Sequence, residues 1–147
     1  MSQNEATATL SPEQIDELRQ RALAVAANAY APYSGFRVGA AILLEDGTIT
    51  TGCNVENASY RLTTCAEQSA IVAAVALHGP TARLRAVMIV NLNQAASSPC
   101  GGCRQAILEF ASSGTEIFFP AADGSEVRCS VTDLLPHAFL LRNDSRT

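Results

Sequence analysis

The stretch TEIFFPAADGSEVRCSV, residues 115–131, decides the fold of this chain. Thr115 to Phe119 and Glu126 to Val131 are rich in β-branched and aromatic residues and read as strands, with a turn around Ala122-Asp123-Gly124 between them. The link is too short for a crossover helix, so the two strands are expected to pair antiparallel as a hairpin. Working back along the chain, Arg85 to Leu92 (RAVMIVNL) reads as a central strand. Val38 to Leu44 is a near-continuous apolar run, and Asp46-Gly47 turns it back into a partner strand from Thr48 to Asn54. One helix precedes these strands and two lie between them. Ser11-Pro12-Glu13-Gln14 starts the first, with Ser11 as N-cap and Gln14 closing a capping box. Ile15, Leu18, Ala22, Val25 and Ala29 give it one apolar face, and Pro32 ends it near Tyr30. The second is expected from about Cys65 to His78, with Thr64 as N-cap and Gly79-Pro80 as the stop. The third is expected from Pro99 to Gly114, and Thr132-Asp133-Leu134-Leu135 forms a short closing helix. This α-β-β-α-β-α-β-β order implies a three-layer α/β/α fold on a five-stranded mixed sheet with its last two strands antiparallel.

The chain has 147 residues, 48% hydrophobic and 16% charged, which suits one compact domain with its own core. The expected organisation is a flexible N-terminus at 1–10, one domain at 11–139 and a flexible tail at 140–147. A net charge of −4 argues against nucleic acid as a partner, because such binders need a positive surface. No apolar run is long enough for a membrane span, and the first residues lack a signal-peptide pattern. The expected compartment is the cytoplasm, where the five cysteines stay reduced and a CxxC points to metal or redox chemistry.

Two segments carry that chemistry: Cys65-Ala66-Glu67 and Pro99-Cys100-Gly101-Gly102-Cys103. Cys100 and Cys103, three apart at a helix start, share a face, and Cys65 opens the other helix. Three thiolates leave a tetrahedral zinc one position open, the arrangement of a catalytic rather than a structural site. Three thiolates on Zn²⁺ leave one net negative charge, which two helix N-termini of roughly half a positive charge each can offset. Glu67 beside such a site is suited to moving protons. The competing reading makes it the carboxylate of a capping box, Thr64-x-x-Glu67, without a catalytic role.

Cys65-Ala66-Glu67 with Pro99-Cys100-x-x-Cys103 resembles the signature of zinc-dependent nucleobase deaminases, with Cys in place of the usual His. Tyr30-Ala31-Pro32-Tyr33-Ser34-x-Phe36, Val38-Gly39-Ala40-Ala41, Gly52-Cys53-Asn54-Val55-Glu56-Asn57-Ala58 and Ser98-Pro99-Cys100-Gly101-x-Cys103-Arg104-Gln105 resemble the short cytidine deaminases of pyrimidine salvage. The likeness runs from about Ser11 to Phe139. It implies one Zn²⁺ per subunit held by Cys65, Cys100 and Cys103, and hydrolytic deamination of cytidine and 2′-deoxycytidine with release of ammonia. Zinc-activated hydroxide would attack C4 of the base, with Glu67 as proton shuttle. The resemblance also implies that Asn54 and Glu56 bond the ribose hydroxyls, Phe36 packs on the pyrimidine, the Ala66 backbone binds the base carbonyl and the Ser98 carbonyl the leaving amine. It further implies a homotetramer, with Tyr60 and Phe139 reaching neighbouring sites. Asn54 and Glu56 also read as a loop turn with a solvated acid, and Phe36 as ordinary core packing.

In one respect the chain departs from the pattern. Many three-cysteine relatives carry Arg after the glutamate, where its charge neutralises the thiolates; Gln68 stands there here, so more rests on helix dipoles and hydrogen bonds. Arg104 reads equally as a support for the metal helix or as a structural arginine. Cys53 and Cys129 read as packing residues in strands, and His78 and His137 as solvated histidines. Three rival functions remain: a binding module whose zinc has a fourth ligand such as Cys53 or a histidine, a polynucleotide-editing deaminase, and a deaminase for a modified cytosine nucleoside. The acidic charge and the late hairpin oppose the second, and Asn54-x-Glu56-Asn57-Ala58 opposes the third.

Overall fold

The computed structural model describes residues 9–141; most of the two ends expected to be flexible, residues 1–8 and 142–147, lies outside the described residues. The elements run α1 (Pro12–Ala26), β1 (Val38–Leu44), β2 (Ile49–Cys53), α2 (Ala66–His78), β3 (Leu84–Asn91), α3 (Gly101–Phe110), β4 (Ala111–Pro120), β5 (Glu126–Ser130) and α4 (Val131–Leu134). Short 3-10 turns lie at Tyr60–Leu62 and Gly79–Thr81. The sheet order is β2-β1-β3-β4-β5. The β3–β4 pair is parallel and the other pairs are antiparallel, including the expected hairpin, in which Ile117 faces Cys129 and Phe119 faces Val127.

Both faces of the sheet are covered, which explains the unbroken apolar run of β1. Its even residues Ala40, Ile42 and Leu44 pack with Ala66, Ala70 and Ile71 of α2 and Ile107 of α3. Its odd residues Ala41 and Leu43 pack with Leu18 and Ala22 of α1. β3 divides in the same way, with Val87 and Ile89 facing α2 and α3, and Ala86 and Met88 facing α1. Leu10, just ahead of α1, is buried on the α1 side.

Two glycines set the helix-to-sheet spacing. A Cβ on Gly39 would lie 2.0 Å from the Ala22 carbonyl oxygen of α1, and one on Gly52 would lie 2.3 Å from the Ala70 nitrogen of α2. The helices therefore rest directly on strand backbone.

Three expected boundaries are corrected. α1 stops at Ala26 rather than near Tyr30, because the Tyr30 N–H donates to the Asn54 carbonyl at 3.0 Å and the Glu56 N–H to the Tyr30 carbonyl at 2.8 Å. These bonds to a distant segment displace the last helical turn. α2 takes Cys65, not Thr64, as N-cap. Thr64 is instead paired with Val55 through reciprocal backbone bonds of 2.9 Å. α3 begins at Gly101 with Cys100 as N-cap and ends at Phe110 instead of Gly114. There the chain passes straight into β4, where Thr115 accepts the Ser112 N–H and donates to the Leu84 carbonyl of β3.

Candidate active site and metal centre

Both helix starts that carry the thiols are fixed by their approaches. The Val55–Thr64 pairing delivers an extended Cys65 to the N-cap of α2 (φ −72°, ψ 155°). Buried Pro99 delivers an extended Cys100 to the N-cap of α3 (φ −65°, ψ 169°), and Cys103 follows one turn on. The sulfurs of Cys65, Cys100 and Cys103 all lie within 4.8 Å of one another. Cys103 is buried, Cys65 half-buried and Cys100 exposed, so the cluster opens on one side to solvent. Among the described residues no fourth His, Cys, Asp or Glu joins it. Thiols at this spacing fit one tetrahedral zinc with one open position.

The site holds negative charge by hydrogen bonding. The Cys103 N–H donates to the Cys100 sulfur at 3.4 Å, so this sulfur is also the cap of α3. The Gln68 amide donates to the Cys103 sulfur at 3.7 Å. Cys65 is pulled down to about 7, chiefly by the hydrogen bond from the Cys103 thiol. That same bond, together with burial, pushes Cys103 up. Zinc must displace whatever protons the thiols carry, and each displaced proton adds a tenfold dependence of affinity per pH unit. Titrated with a competing chelator, zinc affinity will therefore fall as pH drops, and its slope will steepen by about one decade per pH unit below about 7, where Cys65 gains its proton.

The end of the Gln68 side chain faces Gly102, which has no side chain of its own. A Cβ on Gly102 would lie at ordinary contact distance, 3.7 Å, from the Gln68 Nε2. Gln68→Arg will keep one zinc per subunit by metal analysis; loss of metal would mean that the pocket cannot take the guanidinium.

Glu67 lies in the first turn of α2 with 5% of its surface exposed. Burial pushes its carboxyl above the usual carboxylate range, and the Cys103 thiol beside it partly offsets this. With Cys65 as N-cap, Glu67 is no longer at the N3 position, so the capping-box reading fails. A cleft of about 190 Å³ opens beside the cluster, lined by Val38, Asn54, Thr63 to Glu67, Ser97, Ser98 and Cys100. It thus brings together Asn54, Cys65, Ala66, Glu67, Ser98 and Cys100 of the expected site residues. Thr63, Thr64, Val38 and Ser97 are additional walls, whose only signal in the sequence was their place next to the motifs.

The other expected residues stand elsewhere. Glu56 is turned to the loop before β1, where it accepts the backbone N–H groups of Tyr33 at 2.9 Å and Ser34 at 3.1 Å. Phe36 is half-buried and is not among the residues lining the cleft. Tyr60 is 85% exposed and Phe139 70% exposed, and neither lines the cleft. Arg104 makes no contact with the thiols by hydrogen bond; it donates to the carbonyls of Pro99 at 2.8 Å and Leu134 at 2.9 Å and to the Ser98 hydroxyl at 2.9 Å. It thus ties the Ser98-Pro99 wall to the end of α4. Cys53 and Cys129 are half-buried in β2 and β5. His78 is not simply solvated, since its Nδ1 lies 3.3 Å from Asp46 and its Nε2 is buried.

Asn54 is half committed. Its Oδ1 accepts the Val38 N–H at 2.8 Å and its Nδ2 donates to the Phe36 carbonyl at 2.8 Å. One N–H and one lone pair stay free for a ligand. Asn54→Ala removes both bonds and will lower stability by about 2–3 kcal/mol in chemical denaturation, the cost of two backbone groups left without partners.

An open three-thiol zinc site at two helix N-termini, on a mixed sheet covered on both faces, defines a zinc hydrolase of the deaminase type. The family model described as the cytidine and deoxycytidylate deaminase zinc-binding region matches residues 12–118. The chain is 45% identical over 122 residues to a cytidine deaminase of Mycobacterium tuberculosis, covering 83% of this chain and 86% of that protein. It is 43% identical over 111 residues to a cytidine deaminase of Sporosarcina psychrophila, covering 76% and 80%. The crystal structure of cytidine deaminase from Mycobacterium tuberculosis superposes with a TM-score of 0.75 at 44% identity, covering 86% of this chain and 97% of that one. The chain belongs to the cytidine and deoxycytidylate deaminase family, and its cofactor is zinc.

Proposed function

We propose that this protein deaminates cytidine and 2′-deoxycytidine by hydrolysis, giving the uracil nucleosides and ammonia. The observation that carries the reading is the buried Glu67 carboxyl next to three convergent thiols that lack a fourth protein ligand among the described residues. A purely structural zinc would need that ligand. Zinc, when bound, supplies a water acidic enough to act as a nucleophile at neutral pH.

The chain's own residues do the rest. Glu67 takes the proton of the attacking water and passes it to N3 of the base as C4 is attacked. It then takes the proton of the new C4 hydroxyl and gives it to the departing amine, so that C4 becomes a carbonyl as ammonia leaves. Its burial favours the protonated form, which suits a group that must both take and give. The Ala66 N–H, free at the first turn of α2, is suited to the base carbonyl, and the Ser98 carbonyl to the leaving amine. Asn54 offers its spare N–H and lone pair to the sugar. Phe36 packs on the base from the loop before β1. Among the described residues no Lys or Arg lines the cleft, which favours a nucleoside over its phosphate ester.

The finer reading is a cytoplasmic homotetramer. No helix among the described residues is long and apolar enough to cross a membrane. Tyr60, Leu62, Val72, Leu77, Phe139 and Leu140 are all exposed, a supply of apolar surface for contact between copies in which Tyr60 and Phe139 reach a neighbouring site. Ammonia release will be measured for cytidine, 2′-deoxycytidine, deoxycytidylate and single-stranded DNA, with mass by light scattering. Turnover of the two nucleosides by a tetramer is expected. Turnover of deoxycytidylate alone would overturn the substrate, and an active monomer would overturn the shared sites.

A further inference from the structure

We infer that Asn91 serves the reaction as a positioning residue: from the end of β3 it shapes the loop at 92–98 and so aims the Ser98 carbonyl at the leaving amine. The inference rests on the cytidine deaminase reading above. The Asn91 side chain holds three backbone groups of that loop. Its Oδ1 accepts the N–H groups of Asn93 at 3.0 Å and Ala95 at 3.2 Å, and its Nδ2 donates to the Ala95 carbonyl at 2.8 Å. Between them Gln94 sits at φ 54°, and among the described residues it is the one residue other than glycine with a positive φ. A long side chain keeps that conformation where neighbouring contacts impose it. Asn91 does not line the cleft, whereas Ser97 and Ser98, at the far end of the loop, do.

The two ends of the loop are held differently. The Leu92 N–H donates to the Arg37 carbonyl at 3.0 Å. The Asn93 side chain accepts the Arg37 N–H at 3.0 Å and donates to the Gly35 carbonyl at 3.1 Å. Leu92 and Asn93 therefore have anchors of their own. From Gln94 onward the chain leans on the Asn91 side chain and on the bond from the Ser97 N–H to the Pro120 carbonyl at 3.0 Å. Packing adds little there, because Gln94 and Ala95 back onto a cavity of about 480 Å³ walled in part by Leu23, Pro120 and Ala121. Further on, Arg104 fixes the Ser98 hydroxyl and the Pro99 carbonyl, and Pro99 restricts Ser98 to extended conformations. With Ser98 so limited, its carbonyl points where residues 95–97 direct it, and Asn91 sets that direction. A bond from the amine to this carbonyl strengthens as the amine gains a proton and leaves. Misaiming the carbonyl therefore harms the transition state more than the bound substrate.

The test compares Asn91→Ala and Asn91→Asp with the parent, each zinc-loaded, in cytidine turnover and in competitive inhibition by uridine, which carries an oxygen in place of the amine. Asn91→Ala is expected to lower kcat for cytidine about tenfold, while KM and the uridine inhibition constant each change less than about threefold. Asn91→Asp keeps an acceptor for both N–H groups, so its kcat should stay within about threefold of the parent. An unchanged kcat in Asn91→Ala would overturn the assignment. So would an equal loss of affinity for cytidine and uridine with kcat kept, which would mean a cleft loosened as a whole. Amide hydrogen exchange gives an activity-independent readout. The Ser97 amide, which bonds to Pro120 and not to Asn91, should exchange faster in Asn91→Ala while Leu92 and β1 keep their protection. Unchanged protection of Ser97 would sink the proposal. If the unmutated protein released no ammonia from cytidine, the deaminase reading would fail, while exchange at Ser97 still decided whether Asn91 holds the loop.

Discussion

Glu67→Gln will lower kcat for cytidine by about three to four decades, the range of a positioned acid–base group, while one zinc per subunit is retained. At 1.36 kcal/mol per decade this is about 4–5 kcal/mol of transition-state stabilisation. Glutamine keeps the shape of the side chain in a place with 5% exposure, so packing of the first turn of α2 is preserved. It cannot carry a proton between water, N3 and the amine. KM should change little, because no ground-state bond to substrate is assigned to this carboxyl. Metal analysis and steady-state kinetics on one sample decide the matter. Full zinc with full activity would remove Glu67 from the chemistry, and loss of zinc would make it a structural support of the thiols.

Gly52→Ala will destabilise the protein by about 3 kcal/mol or more, at the upper end of overpacking effects. The added Cβ would stand 2.3 Å from the Ala70 nitrogen, 2.7 Å from the Ala66 carbonyl oxygen and 2.7 Å from the Ser69 Cβ. The first two are backbone atoms of α2, so a rotamer change cannot make room and the helix start has to move as a unit. Cys65 and Glu67 move with it, and substoichiometric zinc with lost activity is expected alongside the lower unfolding midpoint. Gly101→Ala is the control. Its Cβ meets nothing within 4 Å, although it sits at the first position of α3 beside Cys100. That variant should bind zinc normally and unfold within about 0.5 kcal/mol of the parent. Equal damage from both would mean that the thiol region is intolerant of any substitution, not that Gly52 sets the helix spacing.

Much of the site was legible because its parts lie at local spacings. Cys100 and Cys103 are one helical turn apart, and Cys65 and Glu67 share one helix start, so their grouping needed only helix geometry. The strands were legible for a similar reason. A run such as Val38–Leu44 has to be buried on both faces, and residues 115–131 leave no length for a crossover. What escaped was whatever a distant backbone group decides. The early end of α1 depends on Tyr30 meeting Asn54, and the N-cap of α2 depends on Thr64 meeting Val55. Local capping rules cannot anticipate either. Gly39 and Gly52 were visible only as glycines inside strands, a signal of close approach that names no partner.

Asn54 and Glu56 mark the division best. An amide and a carboxylate two residues apart are equally suited to a sugar diol or to a loop, and composition and spacing do not choose. Only the folded chain brings the N–H groups of Tyr33 and Ser34 against Glu56, and the Val38 N–H and Phe36 carbonyl against Asn54. The sequence by itself determined the layers, the late hairpin and the thiol and carboxylate set, because these follow from periodicity and short spacing. The tertiary structure decided where helices begin and end, how closely they sit on the sheet and which polar groups are still free for a ligand. Those depend on contacts between separate segments of the chain, such as the hydrogen bond of Val38 with Asn54 at a separation of 16 and the approach of Gly52 to the Ala70 nitrogen.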